Sequence, residues 1–480
     1  MAIEPNSYGT FSATGTATKD EQFVDVREDS LRKHPLGVKP SGNALTAEQD
    51  FSLCMGTLRR IPDALLLLLL EYLDKDSLFA LGHTCKAFFA YTTYDQIWRE
   101  LAVNNAEDNL LWRGSWRSSM LKISSLPKIN CRHLYSDALY RPFQCTHAPL
   151  APYFGNIPRC NQIRRFSNLT VEEFSRSWSH TPFILTEPVK GWRVFQEWDE
   201  TNLLETFGKV QFRAEAVDWT FDNYVQYMHQ NQDESPLYLF DRAFVEKMGL
   251  EVGPNGAYEP PECFSEDLFT LLGKHRPDHR WLIIGPARSG STFHKDPNAT
   301  SAWNAVVRGS KYWIMFPNSI TPPGVYVSDD QSEVTSPLSI AEWLLNFHAE
   351  ARQIPGCIEG VCEPGEVLHV PSGWWHLVVN LEPAIAITQN FVPKTQLHAA
   401  VNFLKNKPDQ VSGFCDIVED PYALFMDKLN DAHPELHLEI QSRAKIKRKW
   451  EDVVAAEDEQ DGDRGGFSFG FDDDDVDDDE

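Results

Sequence analysis

Residues 1–52 are rich in Ser, Thr, Gly, Ala and charge, and no sustained period of apolar positions runs through them. That pattern predicts a disordered leader with no core of its own. At Leu58 the texture changes: Leu58 and Ile61 lead through Pro62 into a leucine run ending at Leu73, followed by Leu78, Leu81, Cys85, Phe88, Phe89, Ile97 and Trp98. These positions recur at helical spacing. Pro62 stands where a first helical turn tolerates proline, and Asp74 to Asp76 supply a break and a cap before Ser77. Three short helices are expected within 55–105. Residues 106–160 mix aromatics such as Trp112 and Trp116 with loop formers and read as a connector packed on the next domain.

Thr170, with Glu172 and Glu173 behind it, opens a helix through a cap and an acidic first turn, and 182–185 then reads as a strand. Short apolar segments follow at 236–240, 280–285, 302–307, 311–316, 366–370, 376–380 and 384–389, punctuated by Gly309, Pro317, Gly373 and Pro383. Many short strands between Gly and Pro turns predict a barrel or sandwich, and a jelly roll is one way to close such sheets.

A chain of 480 residues with 42% hydrophobic and 12% aromatic side chains can build two or three folded units. The longest apolar run, Ala64 to Leu70, is far short of a membrane span, and no basic stretch leads into an apolar one at the N-terminus, so neither membrane insertion nor secretion is expected. Nine cysteines without a C-x-x-C pair argue against a disulfide framework and a zinc ribbon; Cys145 and His147 lack a second ligand pair and read as an ordinary loop.

The formal charge of −26 is concentrated in an acidic tail at 451–480, preceded by the basic cluster Arg443, Lys445, Lys447, Arg448 and Lys449. A basic element before an acidic tail suggests nuclear import, with nucleus and possibly cytoplasm as the location; nucleic acid is not an expected direct partner.

His294 and Asp296 are spaced by two, so on a strand both side chains would point to one face with Lys295 opposite. A third ligand must come from far along the chain, and His376, just after the turn former Pro371-Ser372-Gly373, is the best candidate. Two histidines and one carboxylate on one face of a metal leave three positions open, which suits iron(II) that must also bind a co-substrate and oxygen.

The surroundings sharpen this. Gly285 to Pro297 (GPARSGSTFHKDP), Ser301-Ala302-Trp303-Asn304, Pro371 to His376 (PSGWWH) and Ile387 to Phe391 (ITQNF) together resemble the JmjC oxygenases, in particular the branch of jumonji protein hydroxylases once called phosphatidylserine receptors. The match runs from about Leu169 to Pro393.

The resemblance implies a mainly β catalytic domain, a cupin-like double-stranded β-helix, with Fe(II), 2-oxoglutarate and O2 as cofactors. Lys311 occupies the family's lysine position for the far carboxylate of 2-oxoglutarate, Thr388 and Ser291 match hydroxyl positions, and Asn304 the nearby amide; Ser291 stands where relatives commonly have threonine. The implied reaction decarboxylates 2-oxoglutarate to succinate and oxidises a substrate C–H bond, ending as hydroxylation or, on a carbon next to nitrogen, as demethylation. Lysine or arginine side chains of proteins are the implied targets. Trp374 and Trp375 are expected to pack rather than to touch substrate.

The order Leu58, Pro62, Leu65, Leu66, Leu69, Leu73, Leu78, Leu81, Cys85, Phe88 and Trp98 resembles an F-box, which implies a Skp-type adaptor and a cullin as partners and docking independent of the barrel.

The expected organisation is therefore α+β overall: a leader at 1–52, an all-α F-box at 55–105, a connector at 106–160, a JmjC domain with its N-terminal elements at 161–410, a helical extension at 411–450 and an acidic tail at 451–480. A competing reading makes the chain a non-catalytic substrate receptor of a ubiquitin ligase. A degenerate barrel of that kind would usually have lost a ligand or the lysine, whereas His294, Asp296, His376 and Lys311 are all present. A cupin-like metalloprotein using zinc or manganese would explain the ligands but not Lys311 and Thr388.

Overall fold

The computed structural model describes residues 33–104, 110–124, 127–337, 339–415 and 418–443. The first 32 residues, most of the basic cluster and the acidic tail lie outside the described residues.

Eight strands form the barrel: β1 (Arg280–Gly285), β2 (Gly290–His294), β3 (Ser301–Arg308), β4 (Lys311–Phe316), β5 (Ile358–Cys362), β6 (Val367–Val370), β7 (Trp375–Asn380) and β8 (Ala384–Phe391). One sheet runs β6-β3-β8-β1 and the facing sheet β5-β4-β7-β2, all antiparallel. This is a jelly roll. The first sheet is extended beyond β6 by Phe183–Leu185 and Arg164–Phe166, and beyond β1 by Leu239–Asp241, Gln211–Ala214 and Val217–Thr220.

The strands are mostly runs of buried residues rather than alternating ones, because both faces of each sheet are covered. The interior between the sheets holds Ala302, Val306, Trp313, Met315, Leu368, Val370 and Val378. Outside β4 and β7, Tyr312, Ile314, Phe316, Leu377 and Val379 pack against Trp343 and its helix Ile340–Asn346.

That outer layer is pinned by Glu359. Its fully buried carboxylate accepts from Arg352 Nη2 at 2.6 Å and Nε at 2.9 Å, from the Tyr312 hydroxyl and from Asn161 Nδ2 at 3.2 Å. These bonds hold its carboxyl at about 2, well below the usual range, although burial alone would raise it. Glu359→Ala leaves the partly buried Arg352 only the carbonyls of Tyr153 and Asn156 and takes the carboxylate from the Tyr312 hydroxyl, so a loss of about 1–3 kcal/mol in denaturant-unfolding stability is expected.

The N-terminal helices differ from the sequence expectation in three ways. There are four rather than three: α1 (Asp63–Leu70), α2 (Lys75–Gly82), α3 (Lys86–Thr92) and α4 (Asp95–Asn104). The fourth follows because the Thr93-Tyr94 break restarts a helix at Asp95, hidden within what reads as one apolar period. Asp74 caps α2 as expected, accepting from Ser77 N at 2.7 Å.

The second difference is the leader. Residues 33–52 are ordered: Val38 is buried in the helical core, Lys39 N donates to Leu134 O at 3.1 Å, and Asp50 caps the 3-10 helix Phe51–Arg60. Backbone pairing with a distant segment, which carries no apolar period, orders this stretch.

The third concerns the connector, which contains helices among its loops, including α5 (Trp116–Leu121) and α6 (Asp137–His147). Asp95 on α4 caps α5, accepting from Trp116 N at 2.9 Å and Arg117 N at 2.8 Å. Leu66, Leu70, Phe88 and Trp98 share one continuous apolar cluster with Trp112, Trp116, Trp219, Tyr227 and the outer face of the barrel at Trp303 and Ile387. The F-box helices are therefore not a separate unit on a tether. Cys145 and His147 lie on α6, and among the described residues they join no metal-ligating group.

Beyond the barrel, helices Leu397–Asn406 and Pro421–Ala432 close over Phe269 and Val392.

Candidate active site

β2 ends at His294, and Asp296 lies two residues beyond it in the connection to Pro297–Ala299. This corrects the expectation that both sit on one strand with Lys295 opposite. Pro297 cannot donate to a ladder, so the strand stops early, and the extended backbone of Asp296 (φ −63°, ψ 147°) still turns its carboxylate toward His294.

His376, on β7, pairs with His294 across the sheet, and their rings are 4.1 Å apart between centroids. One ligand atom from each of His294, Asp296 and His376 lies within 4.8 Å of the others. Among the described residues this is the one group of three such side chains that could hold a metal.

The local bonds fit that role. His294 Nδ1 lies 2.8 Å from Thr292 O and His376 Nδ1 lies 3.1 Å from Trp374 O, which fixes each ring and leaves each Nε2 free to ligate. Burial pushes both imidazoles below their ordinary value, His376 to about 4, so both are neutral at pH 7. Asp296 Oδ2 is buried without a hydrogen-bond partner, and burial raises its carboxyl although His294 and the Asn390 amide oppose this. An orphaned buried carboxylate oxygen between two neutral imidazoles is what a divalent cation satisfies.

A bulge completes the geometry. Ser291 is opposite Val378 and His294 opposite His376, so Thr292 and Phe293 on β2 face Leu377 alone on β7. Ser291 and His294, which a regular strand would turn to opposite faces, thereby both turn toward the interior.

The other end of the interior holds Lys311. It is fully buried, opposite Asn380 on β7, which lies four residues, roughly 13 Å, along the strand from His376. Its Nζ donates to Asn380 Oδ1 at 2.9 Å and to the Tyr238 hydroxyl, and among the described residues it makes no ion pair with a carboxylate. Burial lowers its ammonium to about 7. Gly285 makes room for this arrangement, since a Cβ there would come within 2.6 Å of the Tyr238 ring.

Between the two ends, Thr388 and Asn304 are direct cross-strand partners, buried on the interior face. Thr388 Oγ1 donates to Trp303 O at 2.8 Å, while Asn304 Oδ1 is buried with no partner. Ser291, opposite Val378, faces the same interior and borders a cavity of about 380 Å3 that reaches His294. Trp375 packs in the outer core, and the half-buried Trp374 donates from Nε1 to His180 O at 3.1 Å.

Tyr238, Asn380 and Asn390 were missed by sequence reasoning. Tyr238 carried the one usable signal, a polar-tipped side chain in a short apolar segment.

A cupin-like domain model matches residues 172–403 and an F-box-like model residues 58–104. The arginine-specific demethylase JMJ22 of Arabidopsis thaliana is 36% identical, across 90% of this chain and 88% of that protein. The chain belongs to the JmjC oxygenase family. Another JmjC relative, the bifunctional arginine demethylase and lysyl-hydroxylase psr-1 of Caenorhabditis elegans, is 32% identical across 62% of this chain and 74% of its own length. The lysine-specific demethylase JMJ21 of Arabidopsis thaliana is 34% identical across 71% of this chain but only 37% of its own length. Membership carries the class of 2-oxoglutarate- and iron-dependent oxygenases, a name that the more distant relative JMJD4 of Danio rerio bears.

Proposed function

We propose that this chain hydroxylates or demethylates lysine or arginine side chains of proteins, with His294, Asp296 and His376 holding iron(II) and Lys311 holding the far carboxylate of 2-oxoglutarate. The observation that carries the reading is a buried lysine without a carboxylate partner at the far end of the interior that opens on a buried His-Asp-His group. Bound together, the iron, 2-oxoglutarate and O2 supply the oxidation of a C–H bond with release of succinate. The protein's part is to keep two imidazoles neutral, to exclude water with Trp313 and Met315, and to supply an amine for the diacid. The names of the relatives JMJ22, JMJ21 and psr-1 support a cationic side chain as target. The test is mass spectrometry of lysine, arginine and methylarginine peptides after incubation with iron(II), ascorbate and 2-oxoglutarate. A gain of oxygen marks hydroxylation and a loss of methyl demethylation; neither, with 2-oxoglutarate consumed, refutes the substrate class.

Lys311→Ala is expected to raise the Michaelis constant for 2-oxoglutarate at least about tenfold, since a charge-assisted bond is roughly twice as strong as a neutral one. Metal binding should survive. The sign of the pH dependence follows from the same residue. The free amine titrates at about 7 and the dianion binds the ammonium form, so affinity is complete below that pH. Above it, affinity falls by up to about tenfold per unit, as calorimetry at a series of pH values would show.

An adaptor-docking role is supported by α1. Leu66, Leu67 and Leu70 are buried, while Leu65, Leu68 and Leu69, spaced i, i+3, i+4, form an apolar face to solvent. We propose that this face docks a Skp-type adaptor and through it a cullin. No helix among the described residues is long and apolar enough to cross a membrane. The basic cluster ahead of the acidic tail supports a nuclear location.

A further inference from the structure

We propose that Glu215 sets the charge class of the substrate, its carboxylate taking a cationic group of the peptide in the cleft that ends at His294, and that Arg99 on α4 is the residue that positions it. This rests on the protein-oxygenase reading above.

The cleft has two walls. One is the chain from Arg288 to Thr292 with His294, along the outer edge of β2, which has a strand neighbour on one side only. The other is Glu215 with Glu234, Ser235 and Pro236. A side chain entering toward the metal ligands passes between them.

Glu215 stands in the two-residue turn joining Gln211–Ala214 to Val217–Thr220, with φ +49°. Such turns favour Asn-Gly because the first central residue has positive φ, yet here the pair is Glu-Ala. The strained conformation is held by two bonds to the carboxylate: Oε1 accepts from Tyr238 N at 3.1 Å, and Oε2 from Arg99 Nη2 at 3.0 Å. Glu215 keeps 40% of its side chain exposed, so lone pairs remain open to the cleft.

The local charge does not balance. Arg99 is also 3.7 Å from Asp233 Oδ2, so one guanidinium serves two carboxylates. Arg141 is likewise shared, 2.6 Å from Glu234 and 3.4 Å from Glu342. The cation on the opposite wall, Arg288, is turned away, its guanidinium donating to Ala148 O at 2.6 Å and to Cys145 O at the end of α6. A guanidinium or ammonium from the substrate supplies the missing positive charge; a neutral side chain does not. Arg99 also donates from Nη1 to Ser235 O at 2.6 Å, so an F-box helix fixes both the reading carboxylate and the wall beside it.

The test measures binding by fluorescence anisotropy to the full-length protein. The probes are labelled glycine-rich peptides carrying arginine or lysine, and counterparts carrying citrulline or acetyl-lysine. Wild type is expected to bind the cationic peptides at least about tenfold more tightly at low salt. Glu215→Gln should remove that difference while leaving the neutral peptides' affinity in place. Arg99→Met should act in the same direction and Arg99→Lys should restore most of the preference, which a merely structural defect would not do. Full cation preference in Glu215→Gln, or none in wild type, overturns the inference while the oxygenase reading stands. If wild type consumes 2-oxoglutarate yet oxidises no peptide, the substrate class itself fails and the inference falls with it.

Discussion

Asp296→Ala and His294→Ala are each expected to lower metal affinity by well over about 100-fold and to take succinate formation below detection. Loss of a residue that merely orients a ligand costs about 10–100-fold, and these side chains would be the ligands themselves. The fold should survive, because none of the three side chains belongs to the interior and outer apolar clusters that hold the sheets together.

Asp296→Ala adds a distinctive sign. Burial raises the Asp296 carboxyl, so in metal-free protein the ionised group costs stability at neutral pH, a cost relieved by protonation on acidification or by the metal. The metal-free variant should thus melt no lower than the metal-free parent at pH 7, while only the parent gains melting temperature on adding iron(II) or manganese(II). Equal gains in both would remove Asp296 from the metal site.

Strands were legible where they are short, apolar and bounded by Gly or Pro: 280–285 and 311–316 coincide with β1 and β4. By contrast β5, whose apolar run Glu359 and Gly360 interrupt, and the charged extensions Gln211–Ala214 and Val217–Thr220 were not read as strands. The metal group was legible because its residues fall in recognisable motifs. What remained hidden depends on contacts between distant segments. The ordering of 33–52 rests on backbone pairing near Leu134, which no period announces. The bulge opposite Val378 depends on the partner strand, and it alone brings Ser291 and His294 to one side. Asn380 reads as one more strand residue, and only the register that sets it opposite Lys311 gives it a role. Local spacing also placed Asp296 on β2 by parity, although Pro297 ends the strand first.

Deleting 55–104 is expected to destroy 2-oxoglutarate turnover as thoroughly as losing His376, contrary to the independence that the F-box resemblance implies. Leu66, Leu70, Leu78, Phe88, Phe89, Ile97 and Trp98 are each at most 6% exposed and belong to the cluster that reaches the barrel's outer face. At about 1.5–3 kcal/mol for each such side chain, their burial is of the same order as the whole stability of a domain, about 5–15 kcal/mol. Part of that burial is internal to the helices, but the deletion also strips the cap that Asp95 gives α5 and the hold of Arg99 on Glu215 and Ser235. Trp116, fully buried now, would lose its covering. Changing Leu65, Leu68 and Leu69 together to glutamate should do the opposite, abolishing co-purification of adaptor and cullin while turnover stays within about twofold, because changes at exposed positions usually cost under about 0.5 kcal/mol. Succinate assays and pull-downs on both variants separate the two roles. Parental turnover in the deletion variant would show that the helices are an appendage after all, and adaptor capture by the triple variant would move the docking face off α1.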